Sequence, residues 1–211
     1  MRLVLASNNA KKLDELKGML GPMGIELVTQ GELGIPEVAE PHCTFIENGL
    51  AKARHAAAAS NGPAIADDSG ICVQALDSDP GVNSANFASV ALPSVRKGDR
   101  EGRRRIQDAA NIAMLLQRLH GAADRSAYFV CTLVAVRHAA DPQPLIATGR
   151  WAGQVLDAPR GDLGFGYDPL MFIPELGKSV AELSTEEKNA HSHRARAMAQ
   201  MQQLLREVWK L

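Results

Sequence analysis

The chain reads as an α/β protein built on a long mixed sheet flanked by helices. Two patterns carry that reading. Apolar runs of strand length alternate with helix-period segments from the first residues onward, and two long strand-like runs follow one another around Asp141-Pro142. A third observation sets the scale: 211 residues, 45% of them hydrophobic, with a formal net charge of −1, suffice for one substantial core in a single domain spanning 1–211, with room for two lobes.

Arg2–Ala6 opens as a strand. Lys11–Leu20 follows as a helix with Leu13, Leu16 and Leu20 on one side, stopped by Gly21-Pro22. Ile25–Thr29 returns as a strand. Thr44-Phe45-Ile46-Glu47 has the form of a capping box, so a helix starts at Thr44 and runs through the alanines to Asn61-Gly62. Ala64–Asp67 is the next strand. Arg103–His120 has a helical period, Tyr128–Arg137 and Leu145–Leu156 are the two long strands, and Ser192–Val208 closes the chain as a helix.

Several function classes drop out at this level. No apolar stretch approaches the ~20 residues needed to cross a bilayer. Met1–Ala6 is too short for a signal-peptide core and runs at once into a polar, basic segment, so a cytoplasmic protein without a membrane partner is expected. Cys43, Cys72 and Cys131 are odd in number and lack metal-ligand spacing, which fits buried or incidental thiols better than disulfides or zinc ligands.

Chemistry concentrates in three places. In Ala64-Ile65-Ala66-Asp67-Asp68-Ser69-Gly70 a short apolar run ends in two carboxylates, a hydroxyl and a glycine. Neighbouring side chains on a strand point to opposite faces, so Asp67 and Asp68 share a site only if the strand ends there, and Gly70 supplies such an ending. Two close carboxylates favour a cation such as Mg²⁺ between them, or a raised pKa without it. The competing reading is a surface turn in which Asp and Ser cap backbone groups. Ser7-Asn8-Asn9-Ala10-Lys11-Lys12 lies where a strand passes into a helix, a place whose free N–H groups and dipole suit phosphate, although the segment is not a Walker loop and ordinary helix capping explains it equally. Glu40, in an irregular segment over Glu37–Cys43, could reach a metal, and Lys52, two turns into the following helix, could point at a phosphate; each alone is ordinary surface charge.

The third place is late in the chain. Gly164-Phe165-Gly166-Tyr167-Asp168-Pro169 combines glycines that admit a flat ligand, aromatics at Phe165 and Tyr167 that could stack on it, and an acceptor at Asp168 for a ring N–H. Lys188 and Ser192-His193-Arg194 follow, His193 and Arg194 offering donors, and a plain bend with Ser192 as an N-cap is the alternative. His191-x-His193 lacks a third ligand at a plausible spacing for zinc.

Taken in order, these segments resemble the inosine/xanthosine triphosphate pyrophosphatase family. Ser7-x-Asn9-x-x-Lys12, Thr44-Phe45-x-Glu47-Asn48 with Lys52, Ala66-Asp67-Asp68-Ser69-Gly70, Gly164-Phe165-Gly166-Tyr167-Asp168-Pro169 and Ser192-His193-Arg194 match its pattern over nearly the whole chain. The resemblance implies an elongated two-lobed fold with the active site in a cleft, a homodimer, and Mg²⁺-dependent hydrolysis of ITP, dITP and XTP to monophosphate and pyrophosphate. It implies that Ser7–Lys12 holds the triphosphate, with Asn8, Asn9, Ala10 and Lys11 inside that loop. Lys12 and Lys52 would neutralise its oxygens. Glu40 and Asp68 would hold the metal, Asp68 would activate water with Asp67 in support, and Ser69 would contact substrate. The base would lie against Phe165, Gly166, Tyr167 and Asp168, with Lys188, His193 and Arg194 completing its pocket.

Two departures accompany the resemblance. Asn86 stands where bacterial members usually carry Arg, and the basic stretch Val90–Arg105, with Arg96-Lys97 and Arg103-Arg104-Arg105, is longer than expected and reads as a solvated loop leading into a helix. Two rival functions stay open here: a Maf-type nucleotide pyrophosphatase with a different base preference, and a non-catalytic nucleotide- or nucleic-acid-binding protein in which the late cluster grips a base and the Arg103–Arg105 run grips phosphate. For the enzyme, Asp168 as acceptor and Arg194 as donor would match a 6-oxo purine with N1–H and mismatch adenine.

Overall fold

The computed structural model describes residues 1–90 and 100–211. Seven strands form one mixed sheet in the order β2-β1-β3-β4-β5-β6-β7: β1 (Arg2–Leu5), β2 (Glu26–Thr29), β3 (Ala64–Val73), β4 (Ser126–Val136), β5 (Leu145–Val155), β6 (Met171–Ile173) and β7 (Lys178–Ser179). Five α-helices accompany them: α1 (Ala10–Leu20), α2 (Phe45–Ser60), α3 (Arg100–Arg118), α4 (Thr185–His191) and α5 (His193–Val208). β1 runs parallel to β2 and β3, whereas β5 with β6 and β6 with β7 are antiparallel. The chain divides into two compact units, one of Met1–Ser69, Val130–Arg150 and His191–Leu211, the other of Gly70–Phe129 and Trp151–Ala190, with the boundaries falling inside β3, β4 and β5 and at the last residue of α4.

In the first unit, the two-residue period of a strand sorts the core into two layers. Leu3, Leu5, Ile65, Cys131, Leu133 and Ala135 pack with Leu16 and Leu20 of α1 and Ala197, Met198, Met201 and Leu205 of α5. The alternate residues Val4, Ala6, Ala64, Ala66, Val134 and Val136 pack with Ala53, Ala56 and Ala57 of α2. Both faces of the sheet are therefore covered, which is why these strands read as nearly continuous apolar runs. In the second unit, Leu115 and Leu119 of α3 pack with Ile71, Val73, Phe129, Trp151, Leu170 and Met171.

Helix ends follow the expected chemistry. Asn9 caps α1, accepting from the N–H groups of Lys11 and Lys12, and Ser192 caps α5 through the N–H of Ala195. Thr44 Oγ1 accepts from Glu47 N at 3.2 Å and donates to the Glu47 carboxylate at 2.6 Å, so the two capping-box residues meet side chain to side chain. α2 ends on Asn61 in the left-handed conformation, φ 50°.

Three sequence expectations are corrected. β3 does not end at Asp67 but continues to Val73. Gly70 is no terminator: a Cβ there would collide with the carbonyl of Gly81 and the hydroxyl of Ser84, so glycine is required by the close approach of another backbone segment. α3 begins at Arg100, earlier than Arg103, and of the Val90–Arg105 stretch residues 91–99 lie outside the described residues. β6, β7 and α4, too short to show a period, went unread.

Gly149 of β5 lies where the first turns of α5 cross the strand. A Cβ at Gly149 would collide with the carbonyl of His193 and press on the backbone of Ala197. Backbone cannot step aside as a side-chain tip can. Gly149→Ala is expected to lose about 1–3 kcal/mol in urea denaturation, a typical overpacking cost, and a variant as stable as the parent would refute this packing.

Candidate active site

The strand period that sorts the core also sorts the two acids. Asp67 is in phase with Ile65 and faces the α1 and α5 side; Asp68 is in phase with Ala66 and faces α2. Asp67 is wholly buried. Its Oδ1 accepts from Lys12 Nζ at 2.6 Å and Ser69 Oγ at 2.7 Å, and its Oδ2 accepts from Arg194 Nε at 2.6 Å, with the thiol of Cys131 at 3.5 Å. Burial pushes its pKa up, but the charges of Arg194 and Lys12 outweigh it and hold the carboxyl well below its usual range. A carboxylate so saturated stays ionised and is a poor proton acceptor.

Asp68 lives differently. Its Oδ1 accepts from Lys52 Nζ at 2.6 Å, while its Oδ2 is buried without a protein hydrogen-bond partner. Burial lifts its pKa to about 6 against the opposing charge of Lys52. Lys52 also donates to Glu40 at 2.8 Å, and burial, which lowers its pKa, is outweighed by Asp68 and Glu40. For Glu40, burial raises the pKa and Lys52 lowers it, the net shift being downward. The ammonium groups of Lys12 and Lys52 both reach the backbone carbonyl of Asp67, at 3.3 and 3.2 Å. Two acids that would repel in one pocket are thus separated by the strand and each matched with its own cation, which corrects the expectation of a shared strand-end site.

An orphaned buried oxygen on Asp68, beside a second carboxylate on the same lysine, is a hard oxygen donor set of the kind Mg²⁺ uses when water and substrate phosphates complete its shell. The residues fit such an ion. Among the described residues, no group of three or more His, Cys, Asp or Glu could form a fuller metal cage, and the pair His191 and His193 belongs to none.

The Ser7–Lys12 loop is tied down by its own side chains. Ser7 Oγ accepts from Asn9 N at 3.2 Å, Asn8 Nδ2 donates to Glu37 at 2.7 Å, and Asn9 Oδ1 takes the N–H groups of Lys11 and Lys12 at 3.1 and 3.4 Å. Ala10 is the first residue of α1 and Lys11 is exposed. Ser69 joins the Asp67 network, and His193 is buried at the start of α5. Arg194, 1% exposed, gives Nε to Asp67, Nη1 to Glu15 and Nη2 to Ser69 Oγ at 3.1 Å. Its three nitrogens organise the carboxylate network of the first unit.

The second unit carries a separate polar group. Asp168 Oδ2 accepts from Phe165 N at 2.9 Å and Lys188 Nζ at 2.8 Å. The Lys188 ammonium also lies 4.7 Å from the centre of the Phe165 ring. Gly164, φ +79°, leaves the space that the Asp168 carboxylate fills. Gly166 N donates to Asp108 of α3 at 3.0 Å. Of the two aromatics, Tyr167 is a core residue whose hydroxyl donates to the Ser84 carbonyl at 3.0 Å, so Phe165 is the one placed among polar groups.

Glu15, Arg104 and Asp108 were not singled out as site residues in the sequence, whereas Cys131, expected as a buried or incidental thiol, is buried against Asp67. Arg104, 5.5 Å from the centre of the Phe165 ring, was absorbed into a basic run taken as solvated, although Asp108 lies one helical turn further along the same face. Glu15 similarly follows Lys12 at helical spacing. Asn86 is exposed, and nothing in the structure explains it.

Residues 3–204 match a sequence model of the Ham1 family. A dITP/XTP pyrophosphatase of Methylibium petroleiphilum is 64% identical over 209 residues, 99% of each chain. Another of that name from Leptothrix cholodnii is 61% identical over the full length of both. Among solved structures, a HAM1 protein from Coxiella burnetii superposes with a TM-score of 0.86 at 39% identity, covering 99% of this chain and 100% of the other. The Ham1 protein of Staphylococcus aureus gives 0.81 at 34% identity, over 97% and 98%.

Removing one partner of the Asp67–Arg194 pair strands the other as a buried charge, at a cost of about 3–5 kcal/mol. Arg194→Met should show that loss in urea denaturation, and Asp67→Asn combined with Arg194→Met should recover part of it because neither charge remains. If Arg194→Met unfolds at the parent's midpoint, the network does not stabilise the fold.

Proposed function

The chain belongs to the Ham1 family, and from that premise we propose that it hydrolyses non-standard purine nucleoside triphosphates, ITP, dITP and XTP, to the monophosphate and pyrophosphate. The single observation that supports a catalytic rather than a merely binding role is the contrast between Asp67 and Asp68. One acid is held ionised by cations, while the other has an unpartnered oxygen and a pKa of about 6. Environments that push neighbouring acids apart in this way suit one to a structural task and the other to proton transfer near neutral pH.

In this reading Asp68 accepts the proton of the attacking water. Lys12 and Lys52, already converged on the Asp67 carbonyl, turn toward the phosphate oxygens as charge builds on them and on the leaving pyrophosphate. Asp67, fixed by Arg194, keeps Lys12 at that point. The Ser7–Lys12 loop would face the outer phosphates with the hydroxyl of Ser7, the amide of Asn8 and the positive end of the α1 dipole. Asp68 and Glu40 would hold Mg²⁺, which when bound acts as a Lewis acid on phosphoryl oxygen and lowers the pKa of water. Family likeness extends the proposal to a cytoplasmic homodimer.

For the base, Lys188, Asp168 and Phe165 form a polar group within the pocket that the resemblance assigns to it. A 6-oxo purine offers an acceptor beside the N1–H donor, which an ammonium and a carboxylate complement, whereas adenine reverses both. Leaving buried polar groups unpaired can reject a substrate by up to ~10⁴-fold.

Asp68→Asn is expected to lower kcat/KM for ITP by roughly 10²–10⁴-fold, the usual contribution of a general base, with the fold retained by circular dichroism. A loss of less than about tenfold, 1.4 kcal/mol, would remove Asp68 from that role. Phosphorus NMR of the ITP reaction should show IMP and pyrophosphate; IDP with orthophosphate as sole products refutes attack at the α-phosphorus. Lys188→Met should depress kcat/KM for ITP more than for ATP, and an unchanged ITP/ATP ratio would show that Lys188 does not read the base.

A further inference from the structure

We propose that Asn48 is a positioning residue for Glu40: a buried amide that clamps the irregular segment carrying Glu40, so that its carboxylate is held ready beside Asp68. Asn48 lies one helical turn before Lys52 in α2 and is 1% exposed. Its Oδ1 accepts from the N–H of His42 at 3.0 Å, and its Nδ2 donates to the carbonyl of the same residue at 3.1 Å. Both backbone polar groups of one residue are thereby satisfied by a single side chain, as a neighbouring strand would satisfy them. The segment needs such a partner, for residues 35–43 belong to no helix or strand.

Lys52 holds the Glu40 carboxylate, and among the neighbouring backbone anchors the Asn48 clamp lies nearest to Glu40. Upstream, Ile35 is buried in the α2-side core, His55 meets the Pro36 carbonyl at 2.9 Å, and Glu37 holds Asn8. Downstream, His42 is only two residues from Glu40. The next residue of α2 adds a constraint: a Cβ on Gly49 would stand 3.0 Å from a methyl of Val134, a tight contact, and 3.8 Å from the Cβ of Asp68, in ordinary van der Waals contact, so the helix lies close against the Asp68 strand. Within little more than one turn, α2 therefore fixes the Glu40 segment through Asn48, meets the Asp68 strand at Gly49, and ties both carboxylates through Lys52. Asparagine suits the position because it offers one donor and one acceptor at the reach of His42; leucine has similar bulk and neither group.

The inference rests on reading Asp68 and Glu40 as the divalent-cation site, and two separate measurements keep the two apart. Hydrogen exchange in the metal-free protein should show amides of residues 37–43 exchanging at least about tenfold faster in Asn48→Leu, with those of 52–60 in α2 unchanged. Mn²⁺, titrated without nucleotide, should bind Asn48→Leu at least about fivefold more weakly than the parent, yet add no further loss in a Glu40→Gln background, because Asn48 acts through Glu40. Unchanged exchange at 37–43 overturns the clamp. Mn²⁺ binding equal to the parent's, or a loss that adds in full to that of Glu40→Gln, overturns its role toward Glu40. Should the parent bind no Mn²⁺ while the exchange result holds, the cation reading fails and the positioning of the segment stands. Asn48→Asp, which keeps the acceptor and loses the donor, serves the same comparisons if the leucine variant does not fold.

Discussion

Everything chemical in the first unit depends on one constraint: a strand cannot present two consecutive side chains to the same face. β3 runs straight through Asp67 and Asp68, so the acids are delivered to opposite sides of a sheet that is covered on both. On one side wait α1 and α5 with Lys12 and Arg194; on the other waits α2 with Lys52. The backbone carbonyl between them is then the natural meeting point for the two ammonium groups.

This geometry gives identical functional groups unlike electrostatics. Full burial alone would push both carboxyls toward neutrality. Asp67 escapes because a guanidinium, an ammonium, a hydroxyl and a thiol fill its acceptor sites. Asp68 escapes only in part, since Lys52 is shared with Glu40 and one oxygen is left over. The difference lies in how many donors each face of the sheet can bring, a property of the surrounding helices and not of aspartate.

Much of this was legible in the residues. Thr44, Glu47, Asn61 and Ser192 mark helix ends by local chemistry that acts within a turn, and the structure keeps each of them. What misled the reading was distance along the chain. Gly70 looked like the end of a strand because the backbone it admits, at Gly81 and Ser84, comes from a separate segment. Glu15 was not singled out because its partner Arg194 is 179 residues away in sequence. Tyr167 sits in a motif that suggests stacking, yet its hydroxyl finds Ser84 and its ring joins the core. Asp108 and Arg104 carried no signal apart from helical spacing, which many solvated residues share.

The alanines of α2 carry a last consequence. Ala53, Ala56 and Ala57 meet β1, β3 and β4 through methyl groups, with Leu50 of the same helix packed beside them. Alanine has no rotamers to give up on folding, so docking this helix sacrifices almost no side-chain entropy, unlike an interface of leucines or methionines. The same absence removes any means of adjustment: long side chains can repack to absorb a shift, and methyl groups cannot. A helix seated in this way behaves as a stiff ruler, and the hydrogen bonds that hold Asn48 and Lys52 start from a base that does not shift.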